Sequence, residues 1–402
     1  MGSLRVGDAD AGAFVRLGPA RHPHGAGAIG PAHLRTLHMT TLKDALAIAG
    51  RYTDPKKVGE GLAAVVLRDN IVRAHNGMAG VAIPCDDADV GMAVNCHALT
   101  KMIGAIGSGA SMTKIKGRKL AIKGGGSKFT VPAIPKAKEP NFPDDPPAIV
   151  EWLKLTKEQT AAIAAVAALA PKKDGGTFAM SGLRLTPTWV ATATASSVTV
   201  AWVQNTVAEP LTIPATVMAN LVGEVELTVH GGKLFVREVE SGIVRWSLGL
   251  TQEWPDRSVD GMIAQAREED TRVVVGLDME QLGLLAKQAA VVSEGKLAVF
   301  TLTLEPGILT LAGSNKMSDA GHTNFRGAME CTTPEGFDDS RVVGVNPDDV
   351  MSACEAATSV DADKYLVSIA APQSPILMWG HGGDQIIEAL TMPQHIEATA
   401  GE

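Results

Sequence analysis

An α+β fold built from three repeated units is what this 402-residue chain predicts, and three observations predict it. Segments with helical spacing and capping residues recur three times. Each is followed by period-two, β-branched runs and then by a second helix start. Closing hairpins of the same design end the units. Length alone suggests two or three domains, which agrees.

The first helices of the units fall at Thr41–Ala49, Thr156–Ala170 (stopped by Pro171) and Asp278–Val292. Thr156 with Gln159, and Asp278 with Gln281, have capping-box spacing. Strands are expected at Ala63–Leu67, Val198–Val203 and Leu297–Leu304, where β-branched and apolar residues alternate. Second helices are expected at Asn95–Ile106, Pro214–Val222 and Asn346–Ala357, with Asn95 and Asn346 as N-caps and Pro214 and Pro347 at the first position. Gly117-Arg-Lys-Leu-Ala-Ile-Lys123 and Gly231-Gly-Lys-Leu-Phe-Val-Arg237 are matching hairpin strands, and Pro375–Trp379 with Gln385–Leu390 take their place in the third unit. Connectors at Lys136–Pro147 and Gln252–Asp270 read as linkers.

Composition narrows the function. With 45% hydrophobic and 20% charged residues there is material for a core, and 4% aromatics make that core aliphatic. A net charge of −8 argues against coating nucleic acid with the whole surface but allows a local basic face. The cysteines Cys85, Cys96, Cys331 and Cys354 form no CxxC pair, so a zinc site or disulfide framework is not expected and a reducing, cytoplasmic setting is. No apolar run is long enough to span a membrane. Residues 1–32, rich in Gly, Ala, Pro and His, read as a disordered extension without the apolar region of a secretory signal.

Catalytic motifs are not found. The Gly104–Lys114 stretch lacks the Gly-Lys-Ser/Thr ending of a phosphate loop and follows a helix. The histidines have no metal-ligand spacing, and the pairs Asp86-Asp87, Asp144-Asp145 and Asp348-Asp349 suit turns or helix starts. No Gly-x-Ser-x-Gly elbow occurs. Neither catalytic residues, a metal site nor a cofactor is therefore expected.

Phe142-Pro-Asp144 and Trp254-Pro-Asp256, Gly344-Val-Asn346 before Val350, and Leu390-Thr-Met-Pro-Gln-His-Ile396 stand in one order with the repeats between them. In these motifs the chain resembles the bacterial β sliding clamp, the processivity subunit of DNA polymerase III, over about residues 33–397. The resemblance implies three DNA-clamp domains (33–145, 148–258 and 268–397), each with two helices on an inner face and antiparallel sheets outside. It implies a non-catalytic homodimer ring around double-stranded DNA, held without sequence preference, with the replicative DNA polymerase and the clamp loader as partners. A cleft for partner peptides would be walled by Met180, Ala195, Ser197, Val200, Pro255, Pro375, Leu390, Met392 and Pro393. Lys57, Lys101, Lys172, Lys173 and Lys287 would meet phosphates. The edges joining subunits would be Lys119–Val131 and Leu297–Leu304. Ala195–Val200 stands where the family carries Thr-Asp-Gly-His-Arg-Leu, so a partner motif unlike Gln-Leu-x-Leu-Phe is expected, as in a divergent or phage-encoded member. The competing reading is a β-rich structural or binding protein of repeated domains without clamp activity. The recurring lysine-bearing helices favour the clamp.

Overall fold

The computed structural model describes residues 40–394 of the chain except 55, 57–60, 108, 144, 148, 172–180, 205, 269–271, 293–298, 319–320, 361, 363, 371 and 383–384. The expected extension over 1–32 lies outside the described residues. The first repeat runs α1 (Leu42–Gly50), β1 (Ala64–Arg68), β2 (Ile71–His75), β3 (Ala79–Pro84), β4 (Met92–Asn95), α2 (Cys96–Ile106), β5 (Ser111–Ile115), β6 (Lys119–Gly124) and β7 (Ser127–Pro132). The second runs β8 (Leu153–Leu155), α3 (Lys157–Ala168), β9 (Gly182–Leu185), β10 (Val190–Ala193), β11 (Ser197–Trp202), β12 (Leu211–Pro214), a 3₁₀ turn at Ala215–Val217, β13 (Val225–His230), β14 (Lys233–Glu238) and β15 (Val244–Leu248). A connecting helix, α4 (Asp256–Glu268), follows. The third repeat runs β16 (Val273–Leu277), α5 (Met279–Val292), β17 (Val299–Glu305), β18 (Ile308–Ser318), β19 (Gly321–Thr332), β20 (Arg341–Val345), α6 (Pro347–Ala357), β21 (Lys364–Ile369), β22 (Ile376–Gly382) and β23 (Gln385–Thr391).

Capping chemistry places the helix starts. The hydroxyl of Thr41 accepts from the Asp44 amide, and the side chains of Asn95 and Asn346 accept from the amides of Ala98 and Asp348. Both halves of the Thr156–Gln159 capping box form, at 2.9 and 3.3 Å. Two expectations need correction. The helix expected over Pro214–Val222 is only the 3₁₀ turn, because Pro214 completes β12 and Asn220 adopts a left-handed φ of 68°. Val217, Met218 and Leu221 fill the space with buried side chains instead. The connector expected over Gln252–Asp270 contains α4.

Strand pairing joins the repeats. One sheet has the order β4-β1-β2-β3-β15-β14-β13-β8, a second β12-β9-β10-β11-β23-β22-β21-β16-β19-β18-β17-β20, and β5-β6-β7 form a third. At both junctions the third strand of a meander pairs antiparallel with the closing strand of the next repeat: β3 with β15, and β11 with β23. The equivalent strands left over are β19 and β7. Among the described residues β7 pairs only with β6, and β19 meets β16 only at Cys331 and Thr332. The expected third-domain edge, Leu297–Leu304, is not an edge, since β17 is flanked by β18 and β20. The free edge of that repeat is the Gly321–Glu330 side of β19.

The core is aliphatic, with Leu46, Leu99, Ile163, Leu282 and Val350 turning one face of each helix onto the sheets. At the first junction Gly80 lies opposite Trp246, and a Cβ on Gly80 would sit 2.6 Å from the indole. Trp246 is buried and braced by His75, with ring centroids 5.7 Å apart, and His75 meets Phe142 edge-on at 5.1 Å. The indole has no room to swing aside. Gly80→Ala is therefore expected to lower unfolding free energy by about 1–3 kcal/mol, the cost of overpacking a filled core, as read by urea denaturation.

Candidate functional site

The helices form a connected layer on one side of the sheets. α1 packs on α2, α5 on α6, and α3 on both α6 and the Ala215–Val217 turn. The Tyr52 hydroxyl, just past α1, donates to the Thr216 carbonyl at 3.1 Å and ties the first pair to the second repeat. Burial pushes the Tyr52 phenol up, opposed by the nearby Arg245. Of the lysines assigned to DNA, Lys101 on α2 and Lys287 on α5 are exposed, whereas Lys57, Lys172 and Lys173 lie outside the described residues. Lys43 and Lys157 are exposed as well, but Asp44, Glu158, Glu280 and Glu355 share these helices, so the layer is not uniformly basic.

Positive charge concentrates elsewhere. Lys114, Lys116, Arg118, Lys119, Lys123 and Lys128 are all exposed on β5, β6, β7 and their turns. No acidic residue occurs from Val90 to Lys138 in a chain whose net charge is −8. From the sequence this sheet is singled out as the subunit edge Lys119–Val131, not for its charge. The acid-free run was the available signal.

The second junction builds a groove on the face opposite the helices. Val198 lies across from Leu390, Val200 from Glu388 and Trp202 from Ile386, and directly opposed pairs share a face. Trp202 donates its indole N–H to the Glu388 carboxylate at 2.9 Å. Helix α4 lies over this floor: Val259 packs with Val198, Val200 and Trp254, and Ala266 with Leu377 and Leu390. Arg184 holds the start of α4 by a two-pronged pair with Asp256, at 3.1 and 2.7 Å.

Most residues assigned to the cleft come together here. Val200 and Leu390 are fully buried under α4, Pro375 is buried at the start of β22, and Pro255 leads into α4. Met392 and Pro393 are half-buried where β23 ends, and the Met392 amide donates to the Ser196 carbonyl at 2.7 Å. Ala195 is exposed in the β10–β11 turn. Ser197 stands apart, on the helix-side face opposite Thr391, and Met180 lies outside the described residues. Ser196 donates to the Asp349 carboxylate at 2.7 Å, fastening this end of the groove to α6, and burial raises the Asp349 carboxyl above its usual range. The same sheet face continues past α4 into a cavity of about 350 Å³ lined by Lys364, Trp379, His381, Ile386 and Glu388. Beside the start of α4 a wider depression of about 790 Å³ includes Arg184, Trp254 and Arg257.

No protein-family model matches the sequence, and no curated protein matches it. Solved structures do. The DNA polymerase sliding clamp of Caulobacter crescentus aligns with a TM-score of 0.66 at 16% identity, covering 88% of this chain and 97% of that one. The DNA polymerase III beta chain of Streptococcus pneumoniae gives 0.67 at 13% identity with the same coverage. A putative DNA polymerase III beta subunit of Eubacterium rectale gives 0.66 at 11%. The fold is that of the bacterial β sliding clamp. In that clamp fold the groove under α4 falls at the junction of the second and third repeats, and β7 and β19 are the two strands without a partner repeat. Among the described residues no cluster of His, Cys, Asp or Glu could hold a metal ion, and no helix is long and apolar enough to cross a membrane.

Proposed function

We propose that this chain is a ring-forming DNA clamp, a homodimer that encircles duplex DNA and tethers a replicative polymerase, with domains over 33–145, 148–258 and 268–397, the last two joined through α4. The observation that carries the reading is the repeated junction. Two in-chain joints use the same pair of strands, and the strands left over, β19 and β7, are the two halves of a third joint of that kind. Pairing them between copies closes a ring and removes both free edges. The connected helix layer supports a lined hole better than a shell of strands would. The test is topological: the protein is loaded on nicked circular DNA by a clamp loader, and the DNA is then linearised. A clamp slides off the new ends, whereas retention on linear DNA equal to that on circles contradicts the reading.

Two further results are expected under it. Lys101→Glu with Lys287→Glu should leave the ring assembled but flatten the salt dependence of DNA retention by a slope of about 2, one per lost phosphate contact, with no change in sequence preference. An unaltered slope removes these lysines from the DNA face. Met392→Asp, at a half-buried position beside the groove, should abolish polymerase stimulation while shifting Tm by no more than about 4 °C. A collapse of Tm would instead mark Met392 as core.

A further inference from the structure

Helix α4 covers the floor that the clamp reading assigns to partner peptides, and its own composition limits how firmly it stays there. Val259, Met262, Ile263 and Ala266 recur at the spacing of one helix face and are its contacts to the sheet. Met262 and Ile263 are only half-buried, and Arg257, Asp260, Gly261 and Gln265 face solvent. Gly261 lies mid-helix with ordinary φ, and a Cβ there would meet nothing within 4 Å. Neither packing nor backbone geometry requires glycine at this place, yet it makes the helical state about fivefold less favourable than alanine would. Trp254, just before α4, is buried while its indole N–H has no acceptor among the described residues, a donor left unpaired in the present arrangement.

The equivalent junction between the first and second repeats gives the contrast. Among the described residues its connector carries only a 3₁₀ turn, Lys136–Lys138. The corresponding sheet face there, with Ile71, Ala82, Pro84 and Val244 beside Trp152 and Arg237, keeps a cavity of about 230 Å³ that Asp145 and Pro146 of the connector border without filling. A helix over the junction is thus an addition at the second groove and not a requirement of joining two repeats.

We propose that α4 is a displaceable plug: it unwinds and leaves β11, β22 and β23, and the slot beneath accepts a partner segment that brings two or three apolar side chains and a hydrogen-bond acceptor for Trp254. The partner's identity as a polymerase-type peptide rests on the clamp reading; the plug does not. A partner that needs the open state binds in proportion to the open fraction, so changes in α4 stability pass directly into its affinity.

The test compares the full chain with Gly261→Ala and Ile263→Ser. Amide hydrogen exchange should show α4 opening while β11 and β23 stay protected. Exchange from α4 should slow about fivefold in Gly261→Ala and quicken in Ile263→Ser. Fluorescence titration then uses two labelled probes, a Gln-Leu-Ser-Leu-Phe peptide and a peptide of residues 254–268. Any probe that binds should bind about fivefold more weakly to Gly261→Ala and more tightly to Ile263→Ser. Exchange of α4 only in step with β11 and β23, or equal probe affinity for all three chains, overturns the plug. Shifted exchange with no binding of either probe to any chain leaves the plug standing and counts against the groove as a peptide site.

Discussion

Replacing Glu238 by alanine is expected to destabilise the chain by about 3–5 kcal/mol, the largest single-site effect on folding that the structure supports. Glu238 on β14 and Arg245 on β15 form an ion pair with side chains only 9% and 5% exposed. The Ser241 hydroxyl also donates to the Glu238 carboxylate. Arg245 faces the helix side of the sheet, where Tyr52 from the first repeat lies against it. Removing the carboxylate leaves the guanidinium buried without its counter-ion, and the arginine can neither shed its proton nor reach water without opening the junction. The midpoint of urea unfolding should fall with little change in slope. Replacing both partners with apolar residues, Glu238→Leu with Arg245→Met, should recover most of the loss, because no lone charge then remains. If the double variant is as unstable as the single one, the pair is not the cause.

This pair was not legible in the sequence. Glu238 and Arg245 flank a hairpin turn, and nothing in their spacing separates a buried pair from the exposed charges that usually border such turns. The helix starts were legible because caps are local: Thr156 with Gln159 and Asn346 with Pro347 state their structure within four residues. The Pro214–Val222 segment misled because proline and apolar residues fit either a helix or a strand end, and burial of Val217 and Met218 in the core decided between them. Strand pairing was legible only as far as hairpins. Taking Leu297–Leu304 for an edge failed because its second neighbour, β20, arrives from about forty residues away in sequence, beyond any turn that could fix the pairing.

Several residues assigned to the cleft are brought to one junction, and the chain's own α4 lies there too. Val200 and Leu390 lie beneath α4, and Met392 stands where β23 ends. Val259, Met262, Ile263 and Ala266 carried the necessary signal, spaced three and four apart behind Asp256. Trp254-Pro255 was read as the end of a domain, and the helix it introduces was read as linker.

If the chain forms the proposed ring, blocking the free edge of β19 is expected to weaken it. Edge strands present alternate N–H groups outward, so of the neighbours Thr323 and Asn324 one faces β18 and the other faces the open side. Proline at the outward position would remove a donor from the proposed joint with β7 of a second copy and place its ring against that strand. That variant should fold as before yet dimerise about 30–150-fold more weakly, the equivalent of about 2–3 kcal/mol, by sedimentation equilibrium. Proline at the inward position should instead break the β18–β19 ladder and lower Tm. The charges predict a second signature. In the proposed joint the cations of β5–β7 belong to one half, and the other carries Arg326 on β19 with Glu330, Glu335 and Asp338 at its border, all exposed. Head-to-tail pairing brings the two sets within reach of each other, so association should weaken as ionic strength rises past physiological salt, where screening shortens to about 8 Å. A chain that stays monomeric at micromolar concentration in low salt has no such joint, and neither proline would then change its mass.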